Sequence, residues 1–307
     1  MKVSLIICAH NPRPEFLTRT LEGLKRQTLP LDTWEFILVD NASKEPLAGR
    51  FDLSWHPNAR IVLEEQLGLT PARLRGFREA KGEIFCMVDD DNVLAPDYLE
   101  QGLQVFQTFP QMGAIGGHID GEFESEPEPD VLPFTGRLAL CSLEQPRWGN
   151  VYEPWVSPCG AGMMVRRQVA EEFMKQLETS ELRRGLGRKG ASLASSEDTD
   201  LGFCACDLGY GMGRFPQLRM THLIPAGRVQ KDYMLRLMEK GSETEELLLM
   251  VRGLAQPSKG RELRYLLEEW TSGILLKGFT AQARRKIARG RRRGLCRFRE
   301  LTRAVKA

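Results

Sequence analysis

Three short apolar runs, rich in β-branched and aromatic residues, most constrain what this chain can fold into. They are VSLIIC at residues 3–8, EFILV at residues 35–39 and IFCMV at residues 84–88. Apolar runs without regular polar alternation predict strands that are buried on both faces, as in a parallel sheet covered by helices.

Segments with helical character alternate with these runs. Leu17, Leu21 and Leu24 recur at helical spacing, and residues 70–80 form a second helical segment with Pro71 suited to its first turn. Later segments continue the alternation, with helices expected after Pro96, at 168–178 and at 197–208, a strand at 112–117, and a short segment of unassigned type that ends at Thr221-His222. This order predicts an α/β fold with a parallel sheet and helices on both faces.

Polar residues follow each of the three strands directly. The first strand runs into Asn11-Pro12, the second into Asp40-Asn41-Ala42-Ser43, and the third into Asp89-Asp90-Asp91-Asn92. In open α/β sheets, ligands bind at the carboxyl ends of the strands. We therefore expect the functional site at this edge.

The sequence beyond residue 228 predicts a second, helical part of the chain. With 307 residues, 42% of them hydrophobic, the chain can bury a substantial core. We predict an α/β domain at residues 1–228 and a helical C-terminal extension at residues 229–307. Within the first domain, residues 121–158 read as an irregular insertion, functional or merely solvated, and residues 180–196 as a mobile segment.

Charge is distributed unevenly along the chain. The formal net charge is +2, but residues 277–307 contain 12 basic residues and one acidic residue, so this tail carries +11 and the remainder −9. A helix over residues 284–303 would place an apolar strip between arginines, which suits an anionic membrane surface. Gly290 and Gly294 weaken that helix. Packing against the acidic body stays open as an alternative, and nucleic acid is disfavoured because no aromatic platform is interleaved.

The sequence also bears on cellular location. No apolar run approaches the roughly 18 residues that a membrane span requires, and the N-terminus reads as a first strand better than as a signal peptide. The seven cysteines lack a framework spacing, and Cys204-x-Cys206 has no second pair to complete a zinc site. We expect a cytoplasmic protein, peripheral on the inner face of the plasma membrane if the basic tail binds lipid.

Asp89-Asp90-Asp91 is the densest cluster of candidate ligands. Adjacent carboxylates repel each other unless a cation offsets their charge, and oxygen ligands at this density suit Mg²⁺ or Mn²⁺. An EF-hand is excluded because no glycine occupies the sixth loop position. A solvated acidic loop is the alternative.

These pieces together resemble an inverting family-2 glycosyltransferase of the GT-A fold. The matching segments, in the family's order over about residues 1–228, are VSLIICAHNPR, FILVDNAS, GLTPARLRGFREAKGEIFCMVDDDNVLAPDYL, SPCGAGMMVRR and SSEDTDLGFCACDLGYGMGRFPQLRMTHLIPAGR. The third and fifth segments are specific, whereas many nucleotide-binding sheets share the first two. The resemblance implies a mixed, mostly parallel sheet flanked by helices.

The resemblance implies a role for each matching position. Asp198 corresponds to the general base, with Glu197 beside it in the acceptor pocket. Asp91 and His222 correspond to ligands of Mn²⁺ or Mg²⁺. The positions that would bind the nucleotide-sugar donor are Ala9, Asn11, Asp40, Arg73, Asp89, Asp90, Gly160, Ala161 and Gly162.

The implied reaction moves one sugar from a nucleotide donor, with UDP favoured, to a glycan or lipid-linked acceptor. An acceptor hydroxyl attacks the anomeric carbon, a carboxylate takes its proton, and a metal offsets the charge on the departing diphosphate. A single displacement needs one base, unlike the paired carboxylates of a glycoside hydrolase.

Structural roles remain open for several of these residues. Glu197 and Asp198 would also complement a helix N-terminus after a Ser195 or Ser196 cap. His222 would serve as a structural histidine and Asp40 as a turn residue. Trp148 and Trp155, in the irregular segment, would either stack on an acceptor sugar or pack the insertion.

Departures from the family pattern and rival functions bound the prediction. His10, Asn41 and Leu74 replace residues that are common in the family, which affects donor choice more than reaction type. No Gln-x-x-Arg-Trp segment follows His222, which disfavours a processive membrane synthase. This sequence lacks the glycine-rich loop that a sugar nucleotidyltransferase would have after its first strand. It also lacks the G-x-G-x-x-G motif of a dehydrogenase. A catalytically silent binding protein recruited by the basic tail stays as the rival from another class.

Overall fold

The computed structural model describes residues 1–304, so Lys306 of the basic tail lies outside the described residues. The strands are β1 (Val3–Ala9), β2 (Trp34–Asn41), β3 (Ala59–Glu64), β4 (Ile84–Asp89), β5 (Asn92–Leu94), β6 (Met112–Phe123), β7 (Arg147–Gly149), β8 (Met164–Arg166) and β9 (Gly211–Ile224). The helices are α1 (Pro14–Lys25), α2 (Leu69–Glu79), α3 (Tyr98–Thr108), α4 (Arg167–Glu178), α5 (Glu181–Arg184), α6 (Glu197–Asp207), α7 (Lys231–Val251), α8 (Lys259–Leu275) and α9 (Gly278–Ala304).

The strands form a mixed sheet in the order β3-β2-β1-β4-β8-β6-β9-β5, with β7 paired to β9. The first four strands in this order, β3, β2, β1 and β4, run parallel to one another. β8 is antiparallel to β4 and β6, and β5 and β7 are antiparallel to β9. The α/β sheet with flanking helices that the sequence predicts is confirmed.

The register of the parallel strands brings their polar ends to one edge. Ala9 of β1 lies opposite Asp40 of β2, and Cys8 lies opposite Asp89 of β4. All residues of β2 are buried, in agreement with an apolar run covered on both faces. α1 packs Leu17, Leu21 and Leu24 into the same core, and burying a leucine fully contributes roughly 1.5–3 kcal/mol.

Several elements differ from the prediction in extent. The edge strand β3 and the short strand β5 were not predicted, and the segment ending at Thr221-His222 is a strand of 14 residues, β9. Residues 121–158 are largely irregular, as predicted, but include a short 3-10 helix at Leu132–Leu138 and β7. α5 lies within residues 180–196.

Contacts divide the chain into two compact units. The first comprises residues 1–122, 139–175 and 198–224 and holds nearly all of the sheet. The second comprises residues 123–138, 176–197 and the described chain from Pro225 onward, and holds α7, α8 and α9. The sequence-based boundary between residues 228 and 229 stays a prediction.

In the second unit, the basic helix α9 packs against α7 and α8 through ion pairs. Its basic side chains meet glutamates of α7 in the pairs Lys286–Glu239, Arg293–Glu239 and Arg297–Glu243. They meet glutamates of α8 in the pairs Arg289–Glu269, Arg291–Glu268 and Arg299–Glu262. Much of the positive charge of the tail is therefore directed at carboxylates of its own unit.

Gly290 and Gly294 allow this close packing. A Cβ added at Gly290 would lie 2.1 Å from the backbone oxygen of Glu239, and one at Gly294 would lie 2.3 Å from that of Glu243. The two glycines are one helical turn apart on α9 and face the backbone of α7. The two glycines therefore stabilise the fold by allowing α9 to contact α7 closely. The free energy of that contact outweighs the cost of their low helix propensity.

Gly290→Ala is therefore expected to lower the melting temperature of the protein. The added methyl group displaces α9 from α7, and such overpacking costs about 1–3 kcal/mol, more than the gain of up to about 1 kcal/mol in helix propensity. Thermal unfolding followed by circular dichroism measures the change. Gly260→Ala in α8 is the matched control, since its Cβ would meet nothing within 4 Å. Equal melting temperatures for both variants would contradict the proposed contact.

Among the helices within residues 1–304, each is either too short or too polar to cross a bilayer.

Candidate active site

The ends of β1 and β2 are tied together by side-chain hydrogen bonds. Asp40 is buried, and its two carboxylate oxygens accept from the backbone N–H groups of Ser43 (3.1 Å) and Leu47 (2.9 Å). Asn11 Oδ1 accepts from the N–H of Lys44 at 2.8 Å. Asp40 therefore holds the loop after β2 in shape, as the turn interpretation predicts. A contact between Asp40 and a nucleotide base stays a prediction.

Asn41 fixes the next loop, a role that sequence reasoning missed. Its Nδ2 donates to the carbonyl oxygens of Glu64 (3.1 Å) and Gln66 (2.8 Å), and its Oδ1 accepts from the N–H of Gly68 at 2.9 Å. Gly68 precedes α2 and has a φ of 143°. Asn41 thus sets the start of α2, the helix that carries Arg73.

Arg73 lies in the centre of the site. It is 4% exposed, and its Nη2 lies 3.8 Å from Asp89 Oδ1. A Cβ added at Gly160 would lie 2.7 Å from the same nitrogen and 3.0 Å from Asp198 Cβ. Gly160 therefore leaves the space in which Arg73, Asp89 and Asp198 approach one another.

The loop at residues 160–162 is held by the backbone and by Tyr98. Gly160 N–H donates to Asp198 Oδ2 at 2.8 Å, and Tyr98 Oη donates to the carbonyl oxygen of Gly162 at 2.6 Å. Gly162 has a φ of +73°, which favours glycine. Ala161, between them, is buried. Burial raises the pKa of Tyr98 well above its usual value, so its hydroxyl remains a donor.

Asp198 is the second residue of α6 and is partly exposed. Besides the bond from Gly160, its Oδ1 accepts from the N–H of Thr199 at 2.8 Å. Glu197, the first residue of the helix, is 3% exposed. A role for Glu197 toward an acceptor stays a prediction.

Cys159 lies beside this loop, but its chemistry is that of a structural thiol. Burial raises the pKa of Cys159 to about 11, with the nearby Asp198 and Asp89 carboxylates adding to the shift and Arg214 opposing it. A raised pKa disfavours the thiolate, which is the nucleophilic form of a cysteine.

Asp91 and His222 approach each other at the turn after β4. β5 pairs with β9 so that Asn92 lies opposite His222. Asp91 Oδ2 and His222 Nε2 are 3.4 Å apart, and each side chain is 7% exposed. Asn92 Nδ2 donates to Asp91 Oδ1 at 3.1 Å, and Leu223 N–H donates to the carbonyl oxygen of Asp91 at 2.8 Å. The sequence resemblance implies that these two residues, far apart in the chain, bind one metal ion.

The Asp91–His222 pair combines a carboxylate with an imidazole. A carboxylate oxygen and an imidazole nitrogen are both ligands of Mn²⁺, and carboxylates suit Mg²⁺. Within residues 1–304, no group of three or more His, Cys, Asp or Glu side chains could hold a metal ion. Metal binding by Asp91 and His222 stays a prediction.

The remaining predicted site residues are less defined. Ala9 is buried at the end of β1, and Asn11 adopts a φ of 47°. The backbone oxygen of Asp90 accepts from Thr20 Oγ1 at 3.2 Å. Trp148 and Trp155 are both exposed. The ring centroid of Trp148 lies 6.1 Å from that of Phe109. Stacking of either tryptophan on an acceptor stays a prediction.

Comparisons with known proteins identify the family of this chain. The sequence model of Glycosyl transferase family 2 matches residues 4–173. The uncharacterized glycosyltransferase YwdF of Bacillus subtilis is 32% identical over 177 residues, which cover 56% of this chain and 61% of that relative. The glucosyl-dolichyl phosphate glucuronosyltransferase of Haloferax volcanii is 24% identical over 194 residues, which cover 62% of this chain and 58% of that relative. The chain thus spans about three-fifths of the length of these relatives.

Solved structures are similar in fold. A crystal structure of TarS from S. aureus has a TM-score of 0.53 and 15% identity, and covers 89% of this chain and 43% of that chain. TarS in complex with UDP-GlcNAc has a TM-score of 0.51 and 13% identity, and covers 98% of this chain and 92% of that chain. This likeness concerns the fold, which is GT-A as predicted. Since the family model covers more than half of the 307 residues and the fold agrees, the chain belongs to glycosyl transferase family 2.

Proposed function

We propose that this protein is an inverting glycosyltransferase that moves a single sugar from a nucleotide-sugar donor to a hydroxyl group of its acceptor. The observation that carries the proposal is the cluster of Arg73, Asp89, Gly160 and Asp198 at the carboxyl edge of the sheet. In it, an accessible carboxylate is oriented by the Gly160 N–H at 2.8 Å, beside a buried arginine that faces a second carboxylate. Such a base next to a cationic group suits attack on a diphosphate-linked sugar.

The donor is proposed to be UDP-linked. The loops after β1 and β2, with Ala9, Asn11 and Asp40, would hold the nucleoside, and Asp89 and Asp90 would lie toward the ribose. The Gly160–Ala161–Gly162 loop would accept the sugar, because glycine leaves room for close approach to the backbone. Support for uridine comes from TarS, which shares the fold and was crystallised with UDP-GlcNAc.

Asp91 and His222 would hold Mn²⁺ or Mg²⁺. When bound, the metal supplies positive charge that stabilises the departing nucleoside diphosphate. Arg73 would add a second positive charge, since it is a buried cation whose Nη2 lies 3.8 Å from Asp89 Oδ1. It would take no part in proton transfer.

Asp198 would act as the general base in one displacement. The acceptor oxygen forms a bond to the anomeric carbon while the bond from that carbon to the diphosphate oxygen breaks, and the hydroxyl proton passes to the Asp198 carboxylate. Each carboxylate oxygen of Asp198 accepts one backbone hydrogen bond, so a second lone pair on either oxygen remains to take the proton. One displacement inverts the anomeric configuration.

A glycan or lipid-linked acceptor is proposed. The Haloferax relative carries the name glucosyl-dolichyl phosphate glucuronosyltransferase, which supports a lipid-linked sugar as one acceptor class. The exposed Trp148 and Trp155 would offer stacking surfaces for an acceptor sugar.

Binding of nucleotide sugars with and without metal tests the proposal. Isothermal titration of the full chain with UDP-glucose, UDP-GlcNAc, GDP-mannose and dTDP-glucose is expected to show binding of at least one UDP-sugar, strengthened at least about tenfold by MnCl₂, since the cation links protein carboxylate to diphosphate. Absence of nucleotide binding in both conditions would overturn the proposal in favour of a silent binding protein. Formation of a UDP-sugar from UTP and a sugar 1-phosphate would instead identify a nucleotidyltransferase.

A further inference from the structure

Helix α8 turns its apolar side to the solvent. Leu263, Leu266, Leu267, Trp270 and Ile274 follow the i, i+3, i+4, i+7, i+11 spacing that places side chains along one stripe of a helix. Each of these five residues is between 45% and 65% exposed. We call them the α8 stripe. Leu275 and Leu276, at the end of the helix, extend the exposed apolar surface.

The polar side of α8 faces its own unit. Glu262, Glu268 and Glu269 are held by arginines of α9, and Tyr265 is 1% exposed. Helices of globular proteins ordinarily bury the apolar stripe and expose the charges. Here ion pairs fix the reverse orientation, so the exposure of the α8 stripe is built into the packing of the helices.

Cations border the α8 stripe. Lys259 lies at the start of the helix, Lys277 just beyond its end, and Arg264 one turn from Leu267, and all three are exposed. On the other border, a Cβ added at Gly273 would lie 3.2 Å from Arg285 Cζ, so the guanidinium of Arg285 lies against this edge of α8. An apolar stripe with a basic border is the pattern of helices that lie in the surface of an anionic bilayer.

We propose that the α8 stripe inserts into the surface of a membrane that contains anionic phospholipids, with the helix lying in the plane of the bilayer. Lys259, Arg264, Lys277 and Arg285 meet the headgroups. This assigns the membrane contact to α8, whereas the sequence alone suggested residues 284–303. The arginines of α9 that pair with Glu262, Glu268 and Glu269 instead serve to orient α8. The inference does not depend on the proposed catalytic function.

Cosedimentation of the full chain with vesicles tests the proposal. Binding to phosphatidylcholine vesicles with about 30% phosphatidylglycerol is expected to exceed binding to pure phosphatidylcholine at least about tenfold, because of the basic border. Leu263→Ser combined with Leu267→Ser is expected to lower the partition coefficient by about 100-fold, since each leucine loses its apolar transfer energy. The matched control, Leu63→Ser with Leu208→Ser, removes two exposed leucines of the first unit and is expected to bind as the wild type does.

A second variant locates the inserted surface. Trp270→Leu keeps the stripe apolar, so vesicle binding should stay within about threefold, but the blue shift of tryptophan emission on binding should disappear. A retained shift would place the membrane contact at another tryptophan and overturn the assignment to α8. So would equal binding of the Leu263→Ser/Leu267→Ser variant and the wild type, with circular dichroism confirming that both are folded.

Sedimentation velocity without lipid tests whether a second copy of this chain, rather than a membrane, covers the α8 stripe. We expect the sedimentation coefficient to be unchanged by the Leu263→Ser/Leu267→Ser substitutions. A dimer that these substitutions dissociate, together with no binding to anionic vesicles, would show that the α8 stripe is a subunit interface and would overturn the proposal.

Discussion

Asp198→Asn is expected to lower kcat for sugar transfer by about 10²–10⁴-fold, the range that removal of a general base produces. The amide retains one acceptor oxygen, which can keep the hydrogen bond from Gly160 N–H while the bond from Thr199 N–H is lost, so the loop at residues 160–162 should keep its geometry. It has no basic lone pair with which to take the acceptor proton. UDP release, measured with a donor that binds the wild type and a suitable acceptor, reports the loss, and the affinity for that donor with Mn²⁺ should remain within about threefold.

Asp207→Asn provides the matched control for this experiment. It makes the same chemical change on the same helix, at an exposed position where the carboxylate accepts from Tyr152 Oη at 2.9 Å. Transfer by this variant should match that of the wild type within about twofold. Unchanged transfer in Asp198→Asn would exclude this residue as the base, and a loss of donor binding would show that the substitution disturbs the site rather than the proton transfer.

The sequence predicts the framework of the site well because its signals are local. Continuous apolar runs identify β1, β2 and β4, and polar residues directly after them mark the ligand edge. β3 escapes prediction because it lies at the edge of the sheet, where each of its residues stays at least partly exposed and the apolar pattern is weak. β5 has three residues, too few for a periodic signal.

Roles that depend on distant partners are the ones that the sequence does not reveal. Tyr98 holds a carbonyl group 64 positions away, and Asn41 reaches the N–H of Gly68. Nothing in the residues near Tyr98 or Asn41 indicates those partners. The same holds for Gly290, whose sequence context indicates a weak helix and whose structural context is a close contact with α7.

Asp91→Ala is expected to abolish the metal dependence of donor binding. The structure brings Asp91 Oδ2 to 3.4 Å from His222 Nε2, and both side chains are largely buried, so loss of the carboxylate leaves the imidazole as the remaining member of the pair. A single neutral ligand binds Mn²⁺ weakly compared with a pair that contributes charge. Titration of Mn²⁺ into the chain saturated with UDP, followed by electron paramagnetic resonance, should show at least about a tenfold weaker affinity, and transfer should fall by about 100-fold or more.

The pair formed by His118 and Asp120 separates this effect from a general loss of negative charge. It has the same two residue types at 2.9 Å, but Asp120 is exposed and also pairs with Arg219 at 3.2 Å. Because that guanidinium already offsets the carboxylate, the pair should not recruit a cation, and Asp120→Ala should leave the Mn²⁺ affinity of the UDP complex unchanged. Equal weakening in Asp91→Ala and Asp120→Ala would mean that Mn²⁺ responds to overall charge, and the Asp91–His222 site would be wrong. Weakening confined to Asp91→Ala ties the metal to the turn after β4.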